Sequence, residues 1–376
     1  MITVPRCFLA SGPVLILASL GLASDTPGIN TSSDRDSASL PSKTRQAQPG
    51  GLEIRQPYKP GKVPVVLIHG LWGSPHLWNR MIEDLENDPA VRARYQFWTF
   101  RYQSGDSIPF SAHLLRQSLR RARRVFDPDG RDPAFDRMVV VGHSLGGILA
   151  KMMVQRSGSR LWQTVWEQPV DNIPGPQEDC QLLRQAFCYE PVPEVRRVVF
   201  VATPHRGSPL ASGSLRRIGI RLCDQPSRFL RAFQNVLEKN EANLLTPGFR
   251  GELPTSVNEL APRNALLMAL CDLGIDSSVR SHSIIADLRT PPGPGATDGI
   301  VPYWSSHLDG VASESLVHGL HICLNHPPVI QEVRRILLEH AGIASTARTD
   351  QDNDCRLGSA SSLNARRPES RELHGS

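Results

Sequence analysis

Short apolar runs alternate along this chain with stretches whose apolar residues recur every three or four positions. The runs Val63 to Ile68 and Met138 to Val141 are continuous and rich in β-branched residues, which predicts buried strands, and Val195 to Ala202, β-branched apart from Arg196 and Arg197 at its start, predicts a third strand. Tyr95 to Tyr102 is aromatic and β-branched and predicts another strand; Ser281 to Asp287 and Glu314 to Val317 add two more. Between them, helices are predicted over His76 to Leu85 (started by Ser74-Pro75), Ser107 to Phe126, Gly147 to Val154 and Pro328 to His340. In the last of these Val329, Ile330, Val333, Ile336 and Leu337 share one face. Alternating strands and helices imply an α/β fold, a mostly parallel sheet with helices on both faces.

Two stretches, about 157–194 and 208–279, interrupt the alternation. Both follow the carboxyl ends of strands, where ligands bind in open parallel sheets, so they are expected to form a helical cap or lid over the substrate. The expected domain spans 61–343. Residues 344–376 are polar and Ser/Arg-rich, a composition that predicts disorder, and 24–60 read as a flexible linker. Before the linker, residues 1–23 have the form of a secretory signal peptide: one arginine and no acid before Cys7, an apolar run from Val14, then small residues at Gly21 and Ala23. The expectation is an exported protein, periplasmic or secreted, with an uncleaved membrane anchor as the alternative.

The pattern turns chemical at Val141-Gly-His-Ser144-Leu-Gly-Gly147. A G-x-S-x-G motif between a buried strand and a helix is a nucleophile elbow. Glycines at 142 and 146 are needed because bulk there would collide with the adjoining elements. Ser144 would then project at the helix N-terminus, beside amides able to stabilise an oxyanion. The rival reading is a glycine-bounded turn whose serine only caps the helix. The run Ile68-His-Gly-Leu-Trp-Gly73, where the first strand ends, is expected to supply the first oxyanion donor, the amide of Leu71 or Trp72, with the amide of Leu145 as the second.

A serine hydroxyl needs a base, and the base an orienting carboxylate. Asp298, in the glycine- and proline-rich loop Pro294-Gly-Ala-Thr-Asp-Gly-Ile-Val-Pro302, fits the acid best. Asp272, Asp276 and Asp287 are weaker candidates, two in the cap and one on a strand. For the base, the segment from Val317 to Pro327 offers His318, His321 and His326; His321 has the best spacing between the last strand and the last helix.

Charge changes this picture little. The net charge is +5 and the basic residues are almost all arginine. The densest cluster, Arg116, Arg120, Arg121, Arg123 and Arg124, lies on a predicted helix without interleaved aromatics, which reads as a solvated or partner-facing surface rather than a nucleic-acid site. Without the leader six cysteines remain, and Cys180 with Cys188 and Cys223 with Cys271 are the candidate disulfide pairs. No motif indicates a metal or organic cofactor.

The segments Leu67 to Gly73, Val141 to Gly147, Ala202-Thr-Pro-His-Arg-Gly-Ser208 and Thr297-Asp-Gly-Ile-Val-Pro302 together resemble the α/β-hydrolase superfamily, and within it lipase-like proteins similar to the GPI inositol-deacylase and bacterial lipase group. The resemblance covers about Val63 to Leu338 without the insertions. It implies a triad of Ser144, Asp298 and His321, oxyanion donors at Leu71 and Leu145, and carboxylic-ester substrates, often lipids; peripheral contact with a membrane is a further expectation for the partners. An acyltransferase using the same triad, and a catalytically silent lipid- or partner-binding protein, are the rival readings.

Overall fold

The computed structural model describes residues 50–212, 227–238, 244–250, 254–293 and 295–343. The leader, most of the linker and the C-terminal tail lie outside these residues. Seven strands form one sheet: β1 (Gly50–Ile54), β2 (Val63–Ile68), β3 (Tyr95–Tyr102), β4 (Met138–His143), β5 (Val195–Val201), β6 (Arg280–Asp287) and β7 (Ser313–His318). Their order is β1-β3-β2-β4-β5-β6-β7. Every neighbouring pair is parallel except β1 with β3. β1 corrects the expected linker: Gly50–Ile54 pairs antiparallel with β3 as the edge strand. A five-residue strand with two glycines and one glutamate carries too little apolar periodicity to be read from composition.

Successive residues of the central strands feed two cores. Val66, Ile68, Trp98, Phe100, Val140 and Phe200 belong to one. Val65, Leu67, Phe97, Val139, Val141 and Val199 belong to the other. This alternation, with both faces apolar, is why β2 and β4 are buried at every position. The second core is covered by α1 (Asn79–Asn87), α2 (Pro89–Arg94) and a C-terminal helix that begins at Pro327. The helix expected over His76 to Leu85 is a 3-10 turn, Pro75–Trp78, followed by α1.

The first core lies under α3 (Ile108–Phe126) and α4 (Leu145–Met152). It extends into the two insertions, through α5 (Arg160–Val165), α6 (Gln177–Phe187), α7 (Arg228–Glu238) and α9 (Ala265–Asp272); the short α8 (Ser256–Glu259) lies between the last two in sequence. The short α10 (Tyr303–Ser306) follows the Asp298 loop, and the helix from Pro327 is α11 (Pro327–His340).

Buried charge ties the insertions to α3. Arg116, expected on a solvated face, is buried; its guanidinium lies 4.0 Å from the Tyr189 ring centroid and donates to the carbonyls of Gln185 and Ala186 at 3.3 Å. It thus caps the C-terminal end of α6, where a cation is favoured by the helix dipole. At the N-terminus of α3, the buried Glu259 carboxylate accepts the Ser107 hydroxyl at 2.8 Å and the Ile108 amide at 2.6 Å. The cysteine pairing expected for Cys180 and Cys188 does not form: both are free thiols, as are Cys271 and Cys323. Cys180 lies within α6 and Cys188 at its C-cap, so the helical rise separates them by about 12 Å, beyond the reach of a disulfide. Cys223 lies outside the described residues.

Burial pushes the Glu259 carboxyl up to about 7 against the opposing pull of its two hydrogen bonds, and pushes the neighbouring Asp106 up to about 6. A carboxyl whose folded value is raised favours the fold most at pH below its unfolded value, 4.5 for Glu259, and this contribution is lost as pH rises through about 7. Melting temperature should therefore fall between pH 5 and pH 8. Glu259→Gln, which cannot ionise, should shrink that difference in a calorimetric pH series, leaving the part due to Asp106; an unchanged slope would contradict the assignment.

Candidate active site

β4 ends at His143, and α4 begins at Leu145 with only Ser144 between them. Ser144 has φ 53° and ψ −125°, a strained conformation for a residue with a side chain. Its amide donates to Val201 O at 2.9 Å, and its carbonyl accepts from Gly147 N at 2.9 Å. So tight a turn works only where neighbours lack a Cβ. A Cβ on Gly142 would lie 2.3 Å from Gly146 O, and one on Gly146 would lie 2.3 Å from Ile68 O. One on Gly147 would lie 1.9 Å from Thr203 Oγ1.

Asp298 sits in the loop after β6. Its Oδ1 accepts from the amides of Ile300 at 2.9 Å and Val301 at 2.7 Å. The intervening Gly299 takes φ 92°, which lets the turn fold back under the carboxylate. Oδ2 is left for His321, whose Nδ1 lies 2.7 Å away. Nε2 of the same ring lies 2.9 Å from Ser144 Oγ. All three residues are buried. An ionised carboxylate only accepts, so Nδ1 carries the proton and Nε2 is free to accept from the serine hydroxyl.

The His321 backbone is held from three sides. Its amide donates to Asp298 O at 3.1 Å, and its carbonyl accepts from Cys323 N at 3.0 Å and from His143 Nε2 at 2.9 Å. His143, the variable residue of the elbow motif, is thus a support that spacing alone did not reveal. Burial holds its imidazole at about 3, so it stays neutral and donates as the Nε2–H tautomer. The other histidine candidates lie elsewhere. His318 ends β7, exposed, with Nδ1 against Arg289 O, and His326 is the N-cap residue of α11. Asp287 is occupied by the amides of Arg289 and Gly293, Asp276 by Ser278, and Asp272 closes α9.

The segment expected to complete the site runs over the elbow. A Cβ on Gly70 would lie 2.8 Å from Ser144 Cβ, so the backbone there passes directly across the serine. Gly73 N donates to Gly70 O at 3.1 Å. Of the two amides considered as donors, that of Trp72 is occupied: it donates to Ser104 Oγ at 2.7 Å. The amides of Leu71 and Leu145 make no turn or cap hydrogen bond among the described residues. His69 stacks on Tyr102 with ring centroids 4.4 Å apart, and burial draws it down to about 4, so it is a neutral packing residue. His205 is buried against Phe200, also held neutral by burial. Among the described residues no group of histidine, cysteine and carboxylate side chains is arranged to hold a metal.

A parallel sheet whose central strand delivers a serine on a strained turn to a histidine and an aspartate defines an α/β hydrolase. The alpha/beta hydrolase family profile matches residues 65–343, and the chain belongs to that family. Similar folds include the mature lipase BlEst2 of Bacillus licheniformis (17% identity, 77% of this chain and 96% of that one, TM-score 0.41) and the lin2722 product of Listeria innocua (15%, 77% and 96%, 0.41). Another is the metagenomic carboxyl esterase MGS0156 (17%, 75% and 76%, 0.41). No curated protein matches in sequence.

The contact between Gly147 and Thr203 gives the elbow a measurable tolerance. Gly147→Ala should destabilise by about 2–3 kcal/mol, the cost of overpacking a site where the neighbour must move. Adding Thr203→Ala removes the two closest atoms and should restore part of the loss, seen as non-additive shifts in melting temperature. Additive shifts would show that the two residues do not meet.

Proposed function

We propose that the protein is a serine carboxylic-ester hydrolase, an esterase or lipase working through Ser144, His321 and Asp298. The observation that carries this reading is the unbroken hydrogen-bond chain from Ser144 Oγ to His321 Nε2 at 2.9 Å and from His321 Nδ1 to Asp298 Oδ2 at 2.7 Å. His321 takes the serine proton as Oγ attacks the ester carbonyl. Asp298 keeps the imidazole in the accepting tautomer and stabilises its protonated form. The amides of Leu71 and Leu145 receive the developing oxyanion. His321 then protonates the departing alcohol, and water attacks the acyl-enzyme to release the acid.

The surface around the histidine favours a lipid ester. Leu320 is 62% exposed and Ile322 42% exposed, one on each side of His321. Trp304 and Leu288, near the Asp298 loop, are 48% and 44% exposed. Large apolar side chains left in water beside a reactive centre suit an aggregated or membrane-bound substrate. The leader-like N-terminus accords with an exported enzyme.

The purified chain should hydrolyse p-nitrophenyl esters, and Ser144→Ala should lower kcat by at least about 10³-fold. Acyl chain length then separates esterase from lipase, and an added alcohol acceptor reveals any transfer to a new ester. No turnover by folded wild type on any chain length would refute the assignment. Leu320→Ser with Ile322→Ser should reduce hydrolysis of emulsified long-chain esters several-fold and spare soluble short-chain esters; equal loss on both would count against the lipid-facing surface.

A further inference from the structure

We propose that Ser104 is the positioning residue of the oxyanion hole, and that the second insertion holds it in place. This rests on the hydrolase reading above. Residues 70–73 form a tight turn closed by the Gly73 amide on Gly70 O at 3.1 Å. Trp72, its third residue, has φ 55°, while Leu71 is not among the residues of positive φ. That combination is a type II turn, which normally takes glycine or asparagine at the third position. A tryptophan there is strained, and the relaxed alternative is a type I turn in which the Leu71–Trp72 peptide has flipped. The flip would exchange the direction of the Trp72 N–H for that of the Leu71 carbonyl.

One contact selects between the two states. Ser104 Oγ accepts the Trp72 N–H at 2.7 Å. In the flipped state that oxygen would lose its donor and the strained form its support. The peptide in question directly follows the Leu71 amide, and Gly70 lies against Ser144. The hydroxyl of Ser104 therefore controls the stretch of backbone that must be rigid before the oxyanion forms, since preorganised donors are what make such a site effective.

Ser104 is itself clamped. It is buried, and its carbonyl accepts the Ser256 hydroxyl. The Ser256 amide donates to Gly105 O at 3.3 Å, and Thr255 bridges Asp106. Ser256 opens α8, which ends in Glu259 with its two bonds to the start of α3. Beyond α8, Leu260 O accepts the Ser208 amide at 2.9 Å. The insertion thus straps the loop bearing Ser104 to the loop after β5.

The test compares wild type with Ser104→Ala, Ser104→Thr, Ser256→Ala and Ser144→Ala in the full chain. The readouts are kcat and KM on p-nitrophenyl butyrate, inhibition by a trifluoromethyl ketone, whose hemiketal oxyanion imitates the intermediate, and melting temperature. Ser104→Ala should lower kcat about 10- to 100-fold with KM within about twofold, and weaken the ketone by a similar factor. Ser104→Thr, which keeps the hydroxyl, should recover most of both, and Ser256→Ala should fall between. Unchanged kcat and ketone affinity in Ser104→Ala, with Ser144→Ala inactive, would overturn the positioning role and leave the hydrolase reading intact. Loss in Ser104→Ala that Thr does not recover, or that follows melting temperature alone, would also overturn it. A folded but inactive wild type would overturn both readings.

Discussion

The structure depends on one backbone constraint: Ser144 must turn the chain from β4 into α4 in a conformation that side-chain-bearing residues avoid. Strain of this kind costs about 1–3 kcal/mol and persists only where the surroundings leave no alternative. Here the surroundings are backbone atoms and the Thr203 side chain. Gly142 faces Gly146, Gly146 faces the carbonyl of Ile68, and Gly147 faces Thr203, each at distances that exclude a Cβ. β2, β4, α4 and the loop after β5 therefore meet at the serine with nothing between them. The same close approach that strains the serine brings the end of β2 across it and the loop after β5 behind it.

The remaining groups arrive as consequences of strand order. Because β4 lies between β2 and β5, the loop after β2 can reach the elbow directly. Asp298 and His321 come from farther along the sheet, after β6 and β7, and need longer loops tied to each other. The His321 amide on Asp298 O and the Asp298 carboxylate on its own loop amides make one unit of the two. His143 then joins that unit to the elbow by donating to the His321 carbonyl. Asp298, His321 and Ser144 are thus linked through backbone as well as through their side chains. Burial keeps His143, His69 and His205 neutral.

How much of this was legible in the sequence follows from what each feature depends on. Six strands, the long helix α3, the elbow and the family were readable because continuous β-branched runs, helical periodicity and G-x-S-x-G are local. The acid and base candidates could be ranked by loop position, and the structure brings together the leading one of each. What sequence could not give is contact between distant residues. β1 is a strand only because β3 offers it an edge. Arg116 looks like its exposed neighbours Arg120 and Arg121 until α6 arrives to be capped. Cys180 and Cys188 are close in number, yet a helix holds them apart. That the Trp72 amide is taken depends on a hydroxyl about thirty residues away.

That last case shows why the insertions are more than a cover over the sheet. Insertions held only by apolar packing would need contacts with the core and nothing else. These also carry buried polar anchors. Glu259 satisfies the first turn of α3, Arg116 satisfies the last turn of α6, and Ser256 holds the backbone of Ser104. Polar groups in such positions are costly when left unpaired, so each anchor fixes one register of insertion against core. Apolar packing alone tolerates sliding; these bonds do not. The strained turn at Trp72 can be held because the loop beneath it is pinned from the side of the insertion. A site assembled from six separate loops thereby gains a rigid wall where the sheet by itself provides only its strand ends.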